Sequence, residues 1–250
     1  MWNGSSPPIL EALSIRPRTS MHLLAIETAT ETCSAALWSD GQIIERYQLA
    51  PREHNRLVLP MVEAVLAEAG LSVGQLDALA FGRGPGSFTG VRIAAGVAQG
   101  IALGADLPVV PVSTLAALAD AALAETGLDC AYACIDARMG EVYWGIYQRA
   151  GEGGLELLGD EVVLPAGQVT FPAELSGVGT GSGWGTYGAA LTERLGQQVQ
   201  QVLPERFPRA GSVARLGALA FRQGTALLPE QALPVYLRDN VAKKPARNPL

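Results

Sequence analysis

Histidine is nearly missing from this chain: His22 and His54 are the two in 250 residues. Two imidazoles in separate elements exclude a histidine-rich metal site within one chain, and no HExxH protease motif occurs. Cysteine is almost as scarce. Cys33, Cys130 and Cys134 form no CxxC pair and leave an odd thiol, which excludes a disulfide framework and points to a reducing, cytoplasmic setting. Positive charge is short as well, with 18 Lys and Arg against 24 Asp and Glu for a net charge of −6. A protein that grips nucleic acid unaided needs a basic footprint. Here the one cationic run is the tail carrying Arg238, Lys243, Lys244 and Arg247, read as solvated by default. No run reaches the roughly 18 apolar residues of a spanning helix, so no membrane contact is expected. The first 20 residues do not form a signal peptide.

What is present is a 48% hydrophobic chain, enough to bury the core of one large domain or two small ones. Residues 1–20, with Pro7, Pro8 and Pro17, have no period and read as a disordered lead-in before a native start at Met21. From there the pattern sharpens. A strand, His22 to Ile26, ends in Glu27; a polar turn leads to a strand from Cys33 to Trp38, an Asp40-Gly41 hairpin turn and a strand from Ile43 to Leu49. Leu57, Val58, Met61, Val62, Val65, Leu66 and Ala69 then form a helical stripe closed by Gly70. Leu76 to Phe81 is a buried strand and Leu107 to Val112 another, after which Ser113 caps a helix to about Glu125.

The second half repeats this plan. Ala131 to Ile135 is a strand ending in Asp136, followed by strands Glu141 to Tyr147 and Leu155 to Leu158. Matching Glu27 to Asp136 sets the copies 109 positions apart. Trp144 and Tyr147 fall on opposite strand faces. Asp136, Arg138 and Glu141 place two acids around one guanidinium, an ion-pair cluster or a ligand site. The glycine-rich Gly177 to Gly183 precedes a helix from about Tyr187 to Leu195, and a last helix spans about Val213 to Phe221. The expected fold is α/β and two-lobed, 21–112 and 113–250, with the first-strand acids facing across a cleft. Duplicated actin-like, hexokinase-like and Hsp70-like (ASKHA) folds are built this way. The threonines after Glu27 fit that template; Ala137-Arg138 after Asp136 do not.

Between the strand ending at Phe81 and a helix reaching about Gly104 lies Gly82-Arg83-Gly84-Pro85-Gly86-Ser87-Phe88-Thr89-Gly90-Val91-Arg92. Its glycines permit positive φ and close backbone approach, and Ser87 or Thr89 can cap the helix. Gly84, Gly86, Ser87, Thr89 and Arg92 make either an anion-binding loop or a tight turn without a ligand; the spacing is neither GxxxxGK[ST] nor GxGxxG. Arg92 stands against the helix dipole, which suggests a nearby anion or carbonyl. Along the helix, Gly90, Ala94, Ala98 and Ala102 form one four-residue row, and Gly96, Gly100 and Gly104 a second. Both rows pack inside the fold, or one packs inside and the other meets a partner. His54, at the start of the first long helix, reads as a cap rather than a ligand.

Leu24-Ala25-Ile26-Glu27-Thr28, the loop Gly84 to Ile93, Ile135-Asp136-Ala137-Arg138-Met139-Gly140-Glu141-Val142-Tyr143 and Val235-Tyr236-Leu237-Arg238 resemble the TsaB (YeaZ) family from Met21 to about Lys244. The resemblance implies a non-catalytic partner of TsaD in synthesis of N6-threonylcarbamoyladenosine at tRNA position 37, without cofactor, catalytic residue or metal of its own. A small ATPase, TsaE, resets the complex, tRNA is met through the complex, and a homodimer is an alternative use of the docking surface. The metal-binding HxxxH pair of TsaD falls here on Thr114 and Leu118, and neither side chain replaces imidazole. The family usually has Asp where this chain has Glu27. Its docking surface is a helix pair, which assigns His54, Leu57, Met61, Gly96, Gly100 and Gly104 to the interface. Two other classes fit parts of the pattern. An ASKHA-type small-molecule kinase needs a catalytic base and paired phosphate loops, which Arg138 and Met139 serve poorly; ATP turnover would favour it. An M22-like metallopeptidase lacks the histidines it needs, and metal-dependent cleavage would favour it.

Overall fold

The computed structural model describes residues 20–238; the lead-in up to residue 19 and the tail beyond Arg238 lie outside the described residues. β1 (His22–Glu27), β2 (Thr32–Ser39) and β3 (Gln42–Leu49) form an antiparallel meander, and β4 (Ala78–Gly82) and β5 (Val109–Val112) extend it in parallel, giving the order β3-β2-β1-β4-β5. Asp40 and Gly41 take φ of 48° and 94°, the left-handed pair that a two-residue hairpin needs. The second sheet repeats the order as β8-β7-β6-β10-β11, with β6 (Cys130–Arg138), β7 (Glu141–Arg149), β8 (Leu155–Leu157), β10 (Gly177–Thr180) and β11 (Val199–Leu203). A short β9 (Val162–Pro165) also pairs with β7. The repeat is thus one of topology. Neither β9 nor β11 was expected: β9 is four residues long, and Val199-Gln200-Gln201-Val202-Leu203 lacks a strand's apolar alternation.

Strand periodicity sorts side chains into separate cores. Leu24 and Ile26 of β1, with Leu37, Leu79 and Phe81, meet α1 (His54–Ala69) and α2 (Phe88–Ala105). Leu23 and Ala25 point the other way, with Trp38 and Ala80, onto Val213, Ala214 and Ala218 of α5 (Ala210–Arg222). In the second sheet Ala131, Ala133, Ile135 and Tyr147 face α3 (Thr114–Thr126), while Tyr132 and Trp144 face Trp184 of α4 (Ser182–Leu195). Trp144 and Tyr147 lie on opposite faces, as their spacing requires. The expected α4 start, Tyr187, is instead a kink (φ −121°) inside a helix that begins at Ser182.

The division at residues 112 and 113 falls between β5 and α3. α3 packs on the second sheet, whereas α5, from the second half of the chain, crosses back onto the first. Arg215 of α5 pairs with Asp120 of α3 and ties the two helices. Gly217 lets α5 lie flat, since a Cβ there would come within 2.6 Å of Ala80. Cys33, Cys130 and Cys134 are buried free thiols. α2 is no unbroken apolar run, yet by length and mean hydropathy it is long and apolar enough to cross a membrane (18 residues, mean hydropathy 1.3). Val91, Ile93, Val97, Ile101 and Leu103, with the alanines, lift the mean enough to absorb Arg92 and Gln99, and a third of the window is buried in the fold.

Candidate functional site

The two small-residue rows of α2 have different fates. Gly90, Ala94, Ala98 and Ala102 are buried against the first sheet. Gly96, Gly100 and Gly104 are exposed, and a Cβ added to any of them meets nothing within 4 Å. The same helix exposes Leu103 (59% exposed), and α1 exposes Leu59 (48%). On α1 the sequence-based assignment needs correcting. His54 and Met61 turn into the fold and Leu57 is half-buried, so Arg56, Leu59 and Glu63 carry the solvent face. The apolar stripe had marked the core side of α1; the signal for its outer face was Leu59, an apolar residue out of phase with that stripe. Nor is His54 a side-chain cap. The N-cap is Glu53 without a side-chain bond, and His54 Nε2 lies 2.8 Å from the Thr30 carbonyl.

The glycine loop is filled by protein. A Cβ on Gly86 or Gly90 would overlap the carbonyl of Ala29 or Thr28, and one on Gly84 (φ 101°) would fall 2.8 Å from Val235 O. The Ser87 amide donates to Ala29 O at 2.7 Å, the Thr28 hydroxyl donates to Gly90 O at 2.7 Å, and Ser87 Oγ accepts from Gly90 N at 3.5 Å. Thr89 is exposed. Arg92 has the expected carbonyl, donating to Phe88 O at 3.1 Å, and its guanidinium lies over the Phe88 and Tyr236 rings at 3.2 and 4.9 Å. This stack pins a C-terminal strap along α2, held also by Val235 N to Arg83 O (2.7 Å) and Gln99 to Pro229 O (3.1 Å). The second glycine run is filled likewise: Cβ atoms on Gly177, Gly181 and Gly183 would strike Cys130 or Cys134, and one on Gly179 would strike Trp184.

A cleft of about 520 Å³ separates the lobes, lined by the Ala29–Glu31 turn, His54, Gly86 to Phe88, Ile135 to Arg138 and the strap. The first-strand acids do not face each other across it. Asp136 lines it, held by the backbone N–H of Arg138 (2.7 Å), the Arg138 guanidinium (3.1 Å) and the Tyr187 hydroxyl (3.2 Å). Arg138 also reaches Glu31 across the cleft at 3.2 Å, and Glu141 pairs with Arg238 rather than joining the expected cluster. Glu27 is fully buried, behind the cleft wall. Its Oε1 accepts from Ala29 N at 2.6 Å and its Oε2 from the Thr114 hydroxyl at 3.1 Å. Burial pushes its carboxyl up from 4.5 to about 7, against the lowering effect of those donors. The longer acid is accommodated by Gly82, where a Cβ would overlap the carboxylate.

Thr114 is thus committed to Glu27, and Leu118 is buried in the second core. Among the described residues no group of three or more His, Cys, Asp or Glu is placed to hold a metal ion. A polar cluster that the sequence did not reveal joins the lobes beside the cleft. Glu161, before β9, accepts from Arg83 at 3.1 Å, from Tyr147 at 2.5 Å and from Ser113, the α3 cap. Burial, then the Glu161 carboxylate, push the Tyr147 phenol well above its ordinary range.

The family model described as "TsaD: tRNA N6-adenosine threonylcarbamoyltransferase" matches residues 41–246. Among relatives, the "tRNA threonylcarbamoyladenosine biosynthesis protein TsaB" of Escherichia coli is 45% identical over 235 residues, covering 90% of this chain and 97% of that one. The protein of the same name from Haemophilus influenzae is 38% identical over 90% of this chain and 97% of its own. A solved structure, "YeaZ from Pseudomonas aeruginosa", superposes with a TM-score of 0.81 at 45% identity, covering 87% of this chain and all of that one. The fold is therefore the duplicated, actin/hexokinase/Hsp70-like two-lobed fold, and the chain belongs to the TsaB family of tRNA threonylcarbamoyladenosine biosynthesis proteins.

Proposed function

We propose that this chain is the non-catalytic subunit of the tRNA threonylcarbamoylation machinery, docking on TsaD through the outer faces of α1 and α2. The observation that carries the reading is the open glycine row. Glycine inside a helix costs roughly 1 kcal/mol against alanine, and a Cβ added to Gly96, Gly100 or Gly104 meets nothing within 4 Å. A face kept free of side chains lets a second helix approach closely. The absence of chemistry in the isolated chain is supported by the side chains at the positions of TsaD's metal-binding pair, since Thr114 is bonded to Glu27 and Leu118 is packed in a core.

On this reading TsaD supplies metal and transfer chemistry in the cytoplasm, TsaE acts on the assembled pair, and tRNA is met through the complex. A homodimer over the same row competes with TsaD. Affinity-tagged chain is expected to co-purify with the TsaD-like protein of its cell. TsaD activity in threonylcarbamoyl transfer to tRNA should need added chain, and chain alone should transfer nothing. Transfer by the chain alone, or no association with TsaD in either direction of tagging, counts against the reading.

A further inference from the structure

The turn between β1 and β2 holds the N-terminal ends of both exposed helices. Thr28 donates its hydroxyl to Gly90 O and Ala29 O accepts from Ser87 N, which fixes α2; Thr30 O lies 2.8 Å from His54 Nε2, which fixes α1. Behind the turn sits one carboxyl, Glu27, with Ala29 N–H on Oε1 and the Thr114 hydroxyl on Oε2. We propose that Glu27 is a protonation-linked positioning residue, which sets the Thr28–Thr30 turn and through it the first turns of α1 and α2.

The argument rests on what faces the carboxyl. From β2 comes the Cys33 thiol, from α3 the Thr114 hydroxyl, from the end of β4 the bare backbone of Gly82, and from the turn itself the amides of Thr28 and Ala29. The basic side chains of the adjoining segments are committed elsewhere: His54 to Thr30 O, Arg83 to Glu161, and Arg92 to Phe88 O and two aromatic rings. Among the described residues no Lys, Arg or His forms an ion pair with Glu27. A fully buried carboxylate without a cation is costly, and the neutral acid is favoured. Its carboxyl, pushed to about 7, keeps its proton in the folded chain after an unfolded chain has lost it near 4.5. Stability is fully present below the unfolded value and falls as pH rises towards 7. The span between the two values corresponds to a fall of roughly 300-fold in the folding equilibrium constant. An ionised Glu27 pulls on the Ala29 amide and draws water towards the turn, so the loosening centres on the amides of Ala29, Ser87 and Gly90.

The functional consequence rests on the proposed docking role of α1 and α2, but the test uses the full chain alone, so its failure and that of the docking reading are separable. Urea unfolding of wild type and Glu27→Gln is compared from pH 4.5 to 8. The amide carries no charge, still accepts from Ala29 N–H and can donate to Thr114. Wild type is expected to lose stability through the window and Glu27→Gln to show roughly 300-fold less loss. Hydrogen exchange, corrected for intrinsic rate, should rise with pH in peptides covering residues 85–92 and 53–58 of wild type alone. Carbon-13 NMR of the Glu27 carboxyl in wild type gives a second measurement if the variant does not fold. A midpoint near 4.5, or the same stability profile in both proteins, overturns the proposal. Unchanged exchange at the two helices overturns their coupling to Glu27.

Discussion

Replacing Gly100 by leucine separates the stability of α2 from its use. Gly100 is an exposed interior helical residue whose added Cβ meets nothing within 4 Å. Leucine has near-alanine helix propensity, so the isolated chain should gain about 0.8 kcal/mol and a melting temperature higher by roughly 2–3 °C. The complex should respond in the opposite sense. Helices ordinarily pack with axes 8–10 Å apart, and a glycine row allows closer approach. A leucine inserted there holds the partner helix away. Each lost carbon contact removes about 0.1–0.2 kcal/mol, and losing about 20–30 of them costs on the order of 3–5 kcal/mol. That weakens Kd by at least about 100-fold. Circular dichroism and urea midpoints read the first effect; calorimetric titration with TsaD and size-exclusion chromatography read the second. A folded, stabilised Gly100→Leu chain that binds TsaD with wild-type affinity would refute the reasoning.

The inner row should behave in the opposite way. Gly90→Ala gains about 1 kcal/mol of helix propensity, yet its Cβ overlaps the Thr28 carbonyl, at the upper end of the overpacking cost, so a net loss of about 1–2 kcal/mol is expected in urea unfolding. No loss would mean that the β1–β2 turn yields readily. Tyr147→Phe removes a donor from Glu161 and should cost about 1–2 kcal/mol without changing partner affinity; a neutral result would mean that Arg83 and Ser113 satisfy the carboxylate alone. Exhaustive chelation should leave the melting temperature unchanged, and a drop of several degrees would expose a metal site that the described residues do not provide.

Much of the architecture was legible because it depends on local periodicity and turn chemistry. The α1 stripe, Gly70 and Ser113 at helix ends, the Asp40-Gly41 hairpin and the two rows of α2 each declare themselves within a few residues. Three of the misreadings share one cause: they concern where a polar group finds its partner across the fold. His54 resembled a cap because its true partner, Thr30 O, lies 24 residues away. Glu27 resembled a cleft acid because strand alternation does not reveal that Gly82 and Thr114 close over it. Glu161 had no motif at all, and its partners Arg83, Ser113 and Tyr147 come from three separate segments. The glycine loop shows a further limit. Tight glycine spacing announces close approach, but only the three-dimensional arrangement reveals that the approaching groups are Ala29, Thr28 and Val235.

The three sequestered thiols supply a built-in readout of breathing. Burial pushes Cys33 and Cys130 up to about 11 and Cys134 higher still, so each reacts with an alkylating reagent chiefly when its surroundings open. Cys33 belongs to the first sheet, and Cys130 and Cys134 to the second, so mass-resolved labelling clocks each lobe without an introduced probe. Because α5 starts in one half of the chain and lies on the sheet of the other, those two clocks are geared together through Arg215 and Asp120.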